Sequence, residues 1–139
     1  MAALVGFLLA VAVGIFATAL RLDRDRAFYP VVTIVVAAYY ALFAVMGAST
    51  QTLVHEVLAG AVFLSLAVVG FRSSLWITAV ALAGHGIFDF FHDAVIANPG
   101  VPSFWPAFCG SYDVTAGVYL AGLLWSGRVR ATASESDSI

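Results

Sequence analysis

The side chains best suited to chemistry in this sequence lie within or beside long apolar runs. They are three histidines and four acids, namely His55, Glu56, His85, Asp89, His92, Asp93 and Asp113. Imidazole nitrogens and carboxylate oxygens are common metal ligands, and the same groups act as general acids and bases. Ionisable groups are costly in an apolar environment, so their presence there indicates a functional site or a buried hydrogen-bonded network.

The stretch from His85 to Asp93 has the spacing of one helical face. At about 100° per residue, His85, Asp89 and His92 fall on one arc of a helix, together with Asp93. Such an arc can present two imidazoles and a carboxylate to one point, or to two neighbouring points. This pattern predicts a site built from one face of a helix.

The chain that carries these residues is too apolar for an ordinary soluble domain. Of its 139 residues, 63% are hydrophobic and 10% are charged, whereas soluble domains have about 25% charged residues. Five runs are long enough to cross a membrane, at about 2–20, 28–47, 53–71, 75–97 and 106–126. Segments in lipid must be helical, because every backbone polar group needs an internal partner. The sequence therefore predicts an all-α integral membrane protein, with a five-helix bundle in one domain (1–127) and a disordered polar tail (128–139).

The basic residues predict the orientation of these helices. All six are arginines, and they follow the first, third and fifth runs: Arg21, Arg24, Arg26, Arg72, Arg128 and Arg130. The positive-inside rule then predicts an extracytoplasmic N-terminus and a cytoplasmic C-terminus. Residues 17–19 resemble a signal-peptide cleavage site, but we expect a retained helix because no basic residue precedes the first run. We expect the protein to lie in the bacterial cytoplasmic membrane.

In this orientation the chemically interesting residues lie in the extracytoplasmic half of the bilayer, where they have a charge imbalance. Four acids, Glu56, Asp89, Asp93 and Asp113, share that half with three histidines and with no arginine or lysine. The carboxyl groups can be protonated, they can pair with protonated histidines, or one or two metal cations can neutralise the site. We favour a metal, because good ligand types converge there.

We predict metal ligation by His55, Glu56, His85, Asp89, His92 and Asp113. The donor set suits zinc, iron, manganese or copper(II). A metal-dependent membrane enzyme would use Glu56 or Asp113 as a general base on a lipid-like substrate. Asp93, Cys109 and Tyr112 are candidates for contacts around the ligands, and Tyr39 or Tyr40 could donate into the site.

Two sequence stretches resemble a known family. His85-Gly-Ile-Phe-Asp-Phe-Phe-His92 and Asn98-Pro-Gly-Val-Pro-Ser-Phe-Trp-Pro-Ala-Phe-Cys-Gly-Ser-Tyr-Asp113 are similar to motifs in small bacterial multi-pass membrane proteins. The resemblance covers the last two predicted helices and the loop between them. It implies a shared membrane architecture and no particular activity.

Two other functions fit the same residues. A non-catalytic subunit of a membrane complex could use the acids as a proton or cation relay. A haem carrier could hold a b-type haem between His55 and His92, which the predicted helices place at similar depth. In each case we expect the protein to contact the lipid bilayer and to form a homo-oligomer or a subunit of a larger membrane complex. We expect no nucleic-acid partner.

Overall fold

A computed structural model describes residues 1–133 of the chain, and most of those residues are helical. The helices are α1 (Ala2–Leu20), α2 (Phe28–Gly47), α3 (Thr50–Arg72), α4 (Leu75–Val95) and α5 (Trp105–Trp125). All five are long and apolar enough to cross a membrane. The prediction of five such helices is confirmed, whereas the orientation stays a prediction.

The helix ends follow local capping chemistry. Ser49 caps α3 by accepting a hydrogen bond from the Thr52 backbone N–H at 3.2 Å, so α3 begins earlier than the predicted residue 53. Ser74 caps α4 in the same way, and Pro106 lies in the first turn of α5. Helix α4 ends at Val95, two residues before the predicted end, because Ile96 adopts an extended conformation and its side chain is buried.

Helix α5 is the central packing partner of the bundle. It packs mainly on α4 and α1, whereas α2 packs mainly on α3 and α3 also packs on α4. Many large apolar side chains face outwards from the middle of the helices, including Val62, Val80 and Val118, which are 57%, 70% and 64% exposed. Such an exposed apolar surface suits lipid rather than water.

The segment after α5 turns back onto the bundle. Val129 is buried, the Leu75 N–H donates to the Ala131 carbonyl at 2.8 Å, and Ser74 pairs with Thr132 in an isolated β-bridge. Residues 128–133 therefore differ from the predicted disordered tail, because they supply hydrogen-bond partners at the start of α4. The rest of that predicted tail, residues 134–139, lies outside the described residues.

Candidate metal centre

Polar side chains of three helices and one loop meet in the interior as two neighbouring groups. The His85 cluster consists of His85 and Asp89 on α4 and Asp113 on α5. The His92 cluster consists of His92 on α4, Glu56 on α3 and Asn98 in the loop after α4. One face of α4 supplies both histidines, because residues 85 and 92 are two helical turns apart.

In the His85 cluster, one imidazole nitrogen faces two carboxyl groups. His85 Nδ1 lies 2.7 Å from Asp113 Oδ2 and 3.6 Å from Asp89 Oδ2. One ligand atom from each of the three residues can be chosen so that all lie within 4.8 Å of one another. Their side chains are 0–2% exposed. This geometry can hold a proton or a metal ion between the nitrogen and the oxygens.

Several oxygens of the His85 cluster have no hydrogen-bond partner among the described residues. They are both carboxyl oxygens of Asp89 and Oδ1 of Asp113. The Tyr40 hydroxyl and the Cys109 thiol lie close enough to interact with Asp89, but neither forms a hydrogen bond of good geometry with its oxygens. Buried polar atoms are normally paired, and leaving one unpaired costs roughly 1–3 kcal/mol. The cluster is therefore incomplete as a hydrogen-bonded network formed by residues 1–133 alone.

Cys109 lies one helical turn before Asp113 on α5 and contacts the same cluster. Its Sγ donates to Asp113 Oδ2 at 3.6 Å, and its side chain is buried. A thiol here packs against the carboxyl group and adds a soft donor to the surroundings of the cluster.

The His92 cluster, by contrast, has most of its hydrogen bonds formed. His92 Nε2 lies 2.9 and 3.1 Å from the two carboxyl oxygens of Glu56, so a hydrogen bond joins the imidazole to the carboxyl group. The Asn98 side-chain amide donates to Glu56 Oε1 at 2.8 Å and to the Tyr40 carbonyl at 3.1 Å. The Tyr40 ring stacks on His92 with a centroid distance of 3.9 Å. These contacts fix the imidazole and the carboxyl group as a rigid pair.

A cavity of about 10 Å³ separates the two clusters. Tyr40, Glu56, Phe63 and His85 contribute to its lining. Roughly 10–15 Å³ of such space holds one water molecule. One water could therefore link Glu56 to His85, whereas a lipid-sized molecule does not fit there in this conformation.

The structure divides the six predicted ligands among three environments. His85, Asp89 and Asp113 come together, whereas Glu56 and His92 form their own pair. His55 is exposed on α3 and joins neither cluster. Neighbouring residues on a helix point about 100° apart, and Glu56 is the one that faces the bundle.

The predicted surrounding residues also separate. Cys109 contacts the His85 cluster, whereas the Tyr112 side chain is half-buried and lines a groove with Tyr39 beside α2. Asp93 is 78% exposed, and its Oδ1 lies 3.5 Å from His92 Nδ1. Asp93 therefore belongs to the rim of the His92 cluster.

The haem alternative finds little geometric support. Two axial imidazoles must face one cavity from opposite sides. His55 points outwards, while His92 is buried with its Nε2 bonded to Glu56. A haem between them would require α3 to rotate and the pair of Glu56 and His92 to separate.

Asn98 is a site residue that the sequence interpretation missed. The sequence pattern places Asn98 only in the loop between the last two predicted helices, yet it is 6% exposed and its amide connects α2, α3 and that loop. The dipeptide Asn98-Pro99 could have indicated an ordered turn, because an asparagine side chain before proline often orders a turn through its own hydrogen bonds. Its Oδ1 does accept from the Gly100 N–H at 3.1 Å.

Comparison with known proteins gives no relative from which a function could be transferred. No family model, curated protein or solved structure matches the chain. The resemblance to small bacterial multi-pass membrane proteins therefore stays a prediction, and the functional argument depends on the geometry of the two clusters.

Proposed function

We propose that this protein is a membrane metalloprotein that binds a divalent cation through His85, Asp89 and Asp113. The observation behind the proposal is the set of unpartnered oxygens on Asp89 and Asp113, buried beside one imidazole. A bound cation would accept those oxygens as ligands and would balance their charge. One nitrogen and two carboxyl groups suit zinc, iron or manganese, and copper(II) is a further candidate.

A purely hydrogen-bonded cluster is the main alternative to a metal site. In such a cluster Asp89 would depend on the nearby Tyr40 hydroxyl and Cys109 thiol, yet neither forms a hydrogen bond of good geometry with it in the described residues. The described arginines do not neutralise the carboxyl groups of the His85 cluster, because they lie near the opposite ends of the helices, at positions 21–26, 72 and 128–130. A cation satisfies the oxygens and the charge together, so metal binding is the simpler account.

The same geometry limits the chemistry that the centre can perform in this conformation. Three protein ligands leave coordination positions open, which is typical of catalytic rather than closed structural sites. The adjoining cavity has a volume of about 10 Å³, so it suits a water molecule held between the centre and Glu56. We propose Glu56, oriented by His92 and Asn98, as the base for that water. Action on a lipid-like substrate would require α2 and α3 to separate.

Metal analysis of the purified protein tests the proposal. We expect about one divalent ion per chain after purification in mild detergent with metal supplied, since a buried site of this kind retains its ion. The variants His85→Ala and Asp89→Asn should lose it. His55→Ala and Asp93→Asn are matched controls, because they remove the same side-chain types at exposed positions. Both controls should keep the wild-type metal content.

Equal metal content in His85→Ala and His55→Ala would overturn the proposal. Helical content and elution volume from size exclusion show whether each variant is folded. Asp113→Asn provides a second variant that keeps the side-chain volume while weakening ligation. If Asp89→Asn and Asp113→Asn are folded and fully loaded with metal, the ion lies elsewhere.

A proton relay is the second candidate function, favoured by a row of polar groups that reaches the surface. Exposed Asp93 lies 3.5 Å from His92 Nδ1, and His92 Nε2 bonds to Glu56. Glu56 and His85 then line the same small cavity. This function predicts metal-free protein in every preparation, together with proton flux in vesicles that Glu56→Gln abolishes.

A further inference from the structure

A second feature lies at the arginine-rich end of the bundle, away from both clusters. A groove of about 900 Å³ opens between the start of α2 and the end of α3. We call it the arginine groove, because Arg24, Arg26, Arg72 and Arg130 contribute to its lining. Within residues 1–133, Asp25 is the only acid that lines the groove, and Arg24 and Arg72 are exposed arginines at its mouth.

The arginines have two different roles in the groove. Arg26 is buried, and its guanidinium donates to the carbonyls of Arg130 and Ala131 at 3.3 and 3.1 Å. It thereby fixes the segment after α5 as one wall of the groove. Arg24 and Arg72 are exposed, so their guanidinium groups are positioned to meet a ligand at the membrane surface.

The remaining lining residues make the deeper part of the groove apolar. Val31 and Ile34 on α2 face Val68 and Phe71 on α3 across it. Ile34 lies six residues into α2, which corresponds to a depth of about 9 Å at a rise of about 1.5 Å per residue. The groove therefore combines a cationic mouth with an apolar interior that extends along the helices.

We propose that the arginine groove binds an anionic phospholipid. The phosphate would contact Arg24 and Arg72, and one acyl chain would lie along Ile34, Val68 and Phe71. Basic pockets between membrane helices on the cytoplasmic side recognise anionic head groups through this combination of charges and apolar surface. The proposal depends on the five helices being membrane spans and is independent of the metal centre.

Binding of short-chain phosphatidylglycerol to full-length protein in neutral detergent, measured by native mass spectrometry, tests the inference. Phosphatidylcholine of the same chain length and inorganic phosphate are the comparison ligands. Each of Arg24→Gln and Arg72→Gln should weaken phosphatidylglycerol binding about fivefold, as expected for one arginine near an anionic surface. Arg128→Gln is the matched control, since Arg128 is exposed at the same end and does not line the groove.

A pair of tryptophan variants separates a lipid from a free phosphate. Val68→Trp fills the apolar part of the groove, whereas Val69→Trp places the same side chain at a neighbouring exposed position outside it. The proposal expects lipid binding to fall in Val68→Trp and to stay at the wild-type level in Val69→Trp. Equal lipid binding by both, with inorganic phosphate as an effective competitor, would show a free-anion site and overturn the proposal.

The acidic residues that follow Ala133 in sequence are an alternative ligand for the arginines of the groove, and a further variant separates them from a lipid. Ala133 lines the groove, and Glu135 and Asp137 follow it in sequence. The proposal expects full-length wild type and the Glu135→Gln, Asp137→Asn double variant to bind phosphatidylglycerol equally. Binding only by the double variant would assign the groove to the chain's own terminus. Metal content measured on the same samples keeps the outcome separate from that of the metal proposal.

Discussion

Asn98 illustrates how one side chain can position a reactive group supplied by another element. Its amide nitrogen reaches both the Tyr40 carbonyl and Glu56 Oε1, so the loop after α4 connects α2 to α3. Glu56 is in turn held against His92, and Tyr40 stacks on the imidazole. The orientation of the proposed base therefore depends on a residue that has no acid–base chemistry of its own.

At the residue scale, Asn98→Ala should destabilise the protein by about 1–3 kcal/mol. The change leaves the buried Tyr40 carbonyl and Glu56 without the side-chain donor that they share, and lost buried hydrogen bonds have costs of this size. Unfolding in mixed detergent–SDS micelles measures the effect. Gln51→Ala, at an exposed position near the same end of the bundle, is the control. Equal midpoints for the two variants would contradict the role given to Asn98.

At the scale of the elements, the close contact of α4 with α5 brings His85 to Asp113. Gly86 is next to His85, and a Cβ added there would lie 2.6 Å from the Gly110 carbonyl oxygen and 2.8 Å from the Val114 nitrogen. These backbone atoms cannot move aside without separating the helices. Gly84 flanks His85 on the other side, and an added Cβ there meets nothing within 4 Å. The two glycines thus have different roles despite their symmetric placement.

Gly86→Ala should therefore disrupt packing and metal retention, while Gly84→Ala should leave both intact. Overpacking a close interface costs roughly 1–3 kcal/mol, and any shift of α5 moves Asp113 relative to His85. At position 84 an added methyl group meets no neighbouring atom, and alanine stabilises a helix by about 1 kcal/mol relative to glycine. Unfolding midpoints and metal content of the two variants provide the comparison. Wild-type behaviour of Gly86→Ala would show that α4 and α5 are not held this closely.

At the scale of the whole molecule, the arginines and the two clusters lie towards opposite ends of the bundle. Three parts of the chain meet at the arginine end. Arg26, in the connection between α1 and α2, donates hydrogen bonds to residues 130 and 131 in the segment after α5. Arg26 also lies 5.9 Å above the Phe71 ring. This separation fits a cytoplasmic arginine end and clusters nearer the outer surface.

Single-cysteine labelling tests that orientation in intact bacterial cells. In a Cys109→Ala background, which removes the sole cysteine, Ser103→Cys should react with a membrane-impermeant maleimide added outside. Ser126→Cys should react only after the cells are permeabilised. Both serines are exposed and lie at opposite ends of α5, so the two variants control for each other. The reverse labelling pattern would show that the arginine end faces outwards.

The sequence by itself determined the features that depend on composition and order. Apolar runs of about 20 residues separated by polar turns predicted five membrane-length helices, since a single segment in lipid satisfies its own backbone only as a helix. The spacing of His85, Asp89 and His92 predicted a shared face of α4, because the helical repeat is fixed, and all three side chains are buried. The asymmetric arginines likewise predict the orientation of the helices in the membrane, which stays a prediction.

Only the tertiary structure decided which side chains share a site. Helix α3 has no distinct polar face, because apolar side chains lie on all its sides, so its pattern does not indicate whether His55 or Glu56 faces the bundle. Contacts with α2 and α4 turned Glu56 inwards, and the loop after α4 brought Asn98 to it. The predicted single site therefore became two clusters, because distances between helices depend on side-chain packing that no local pattern encodes.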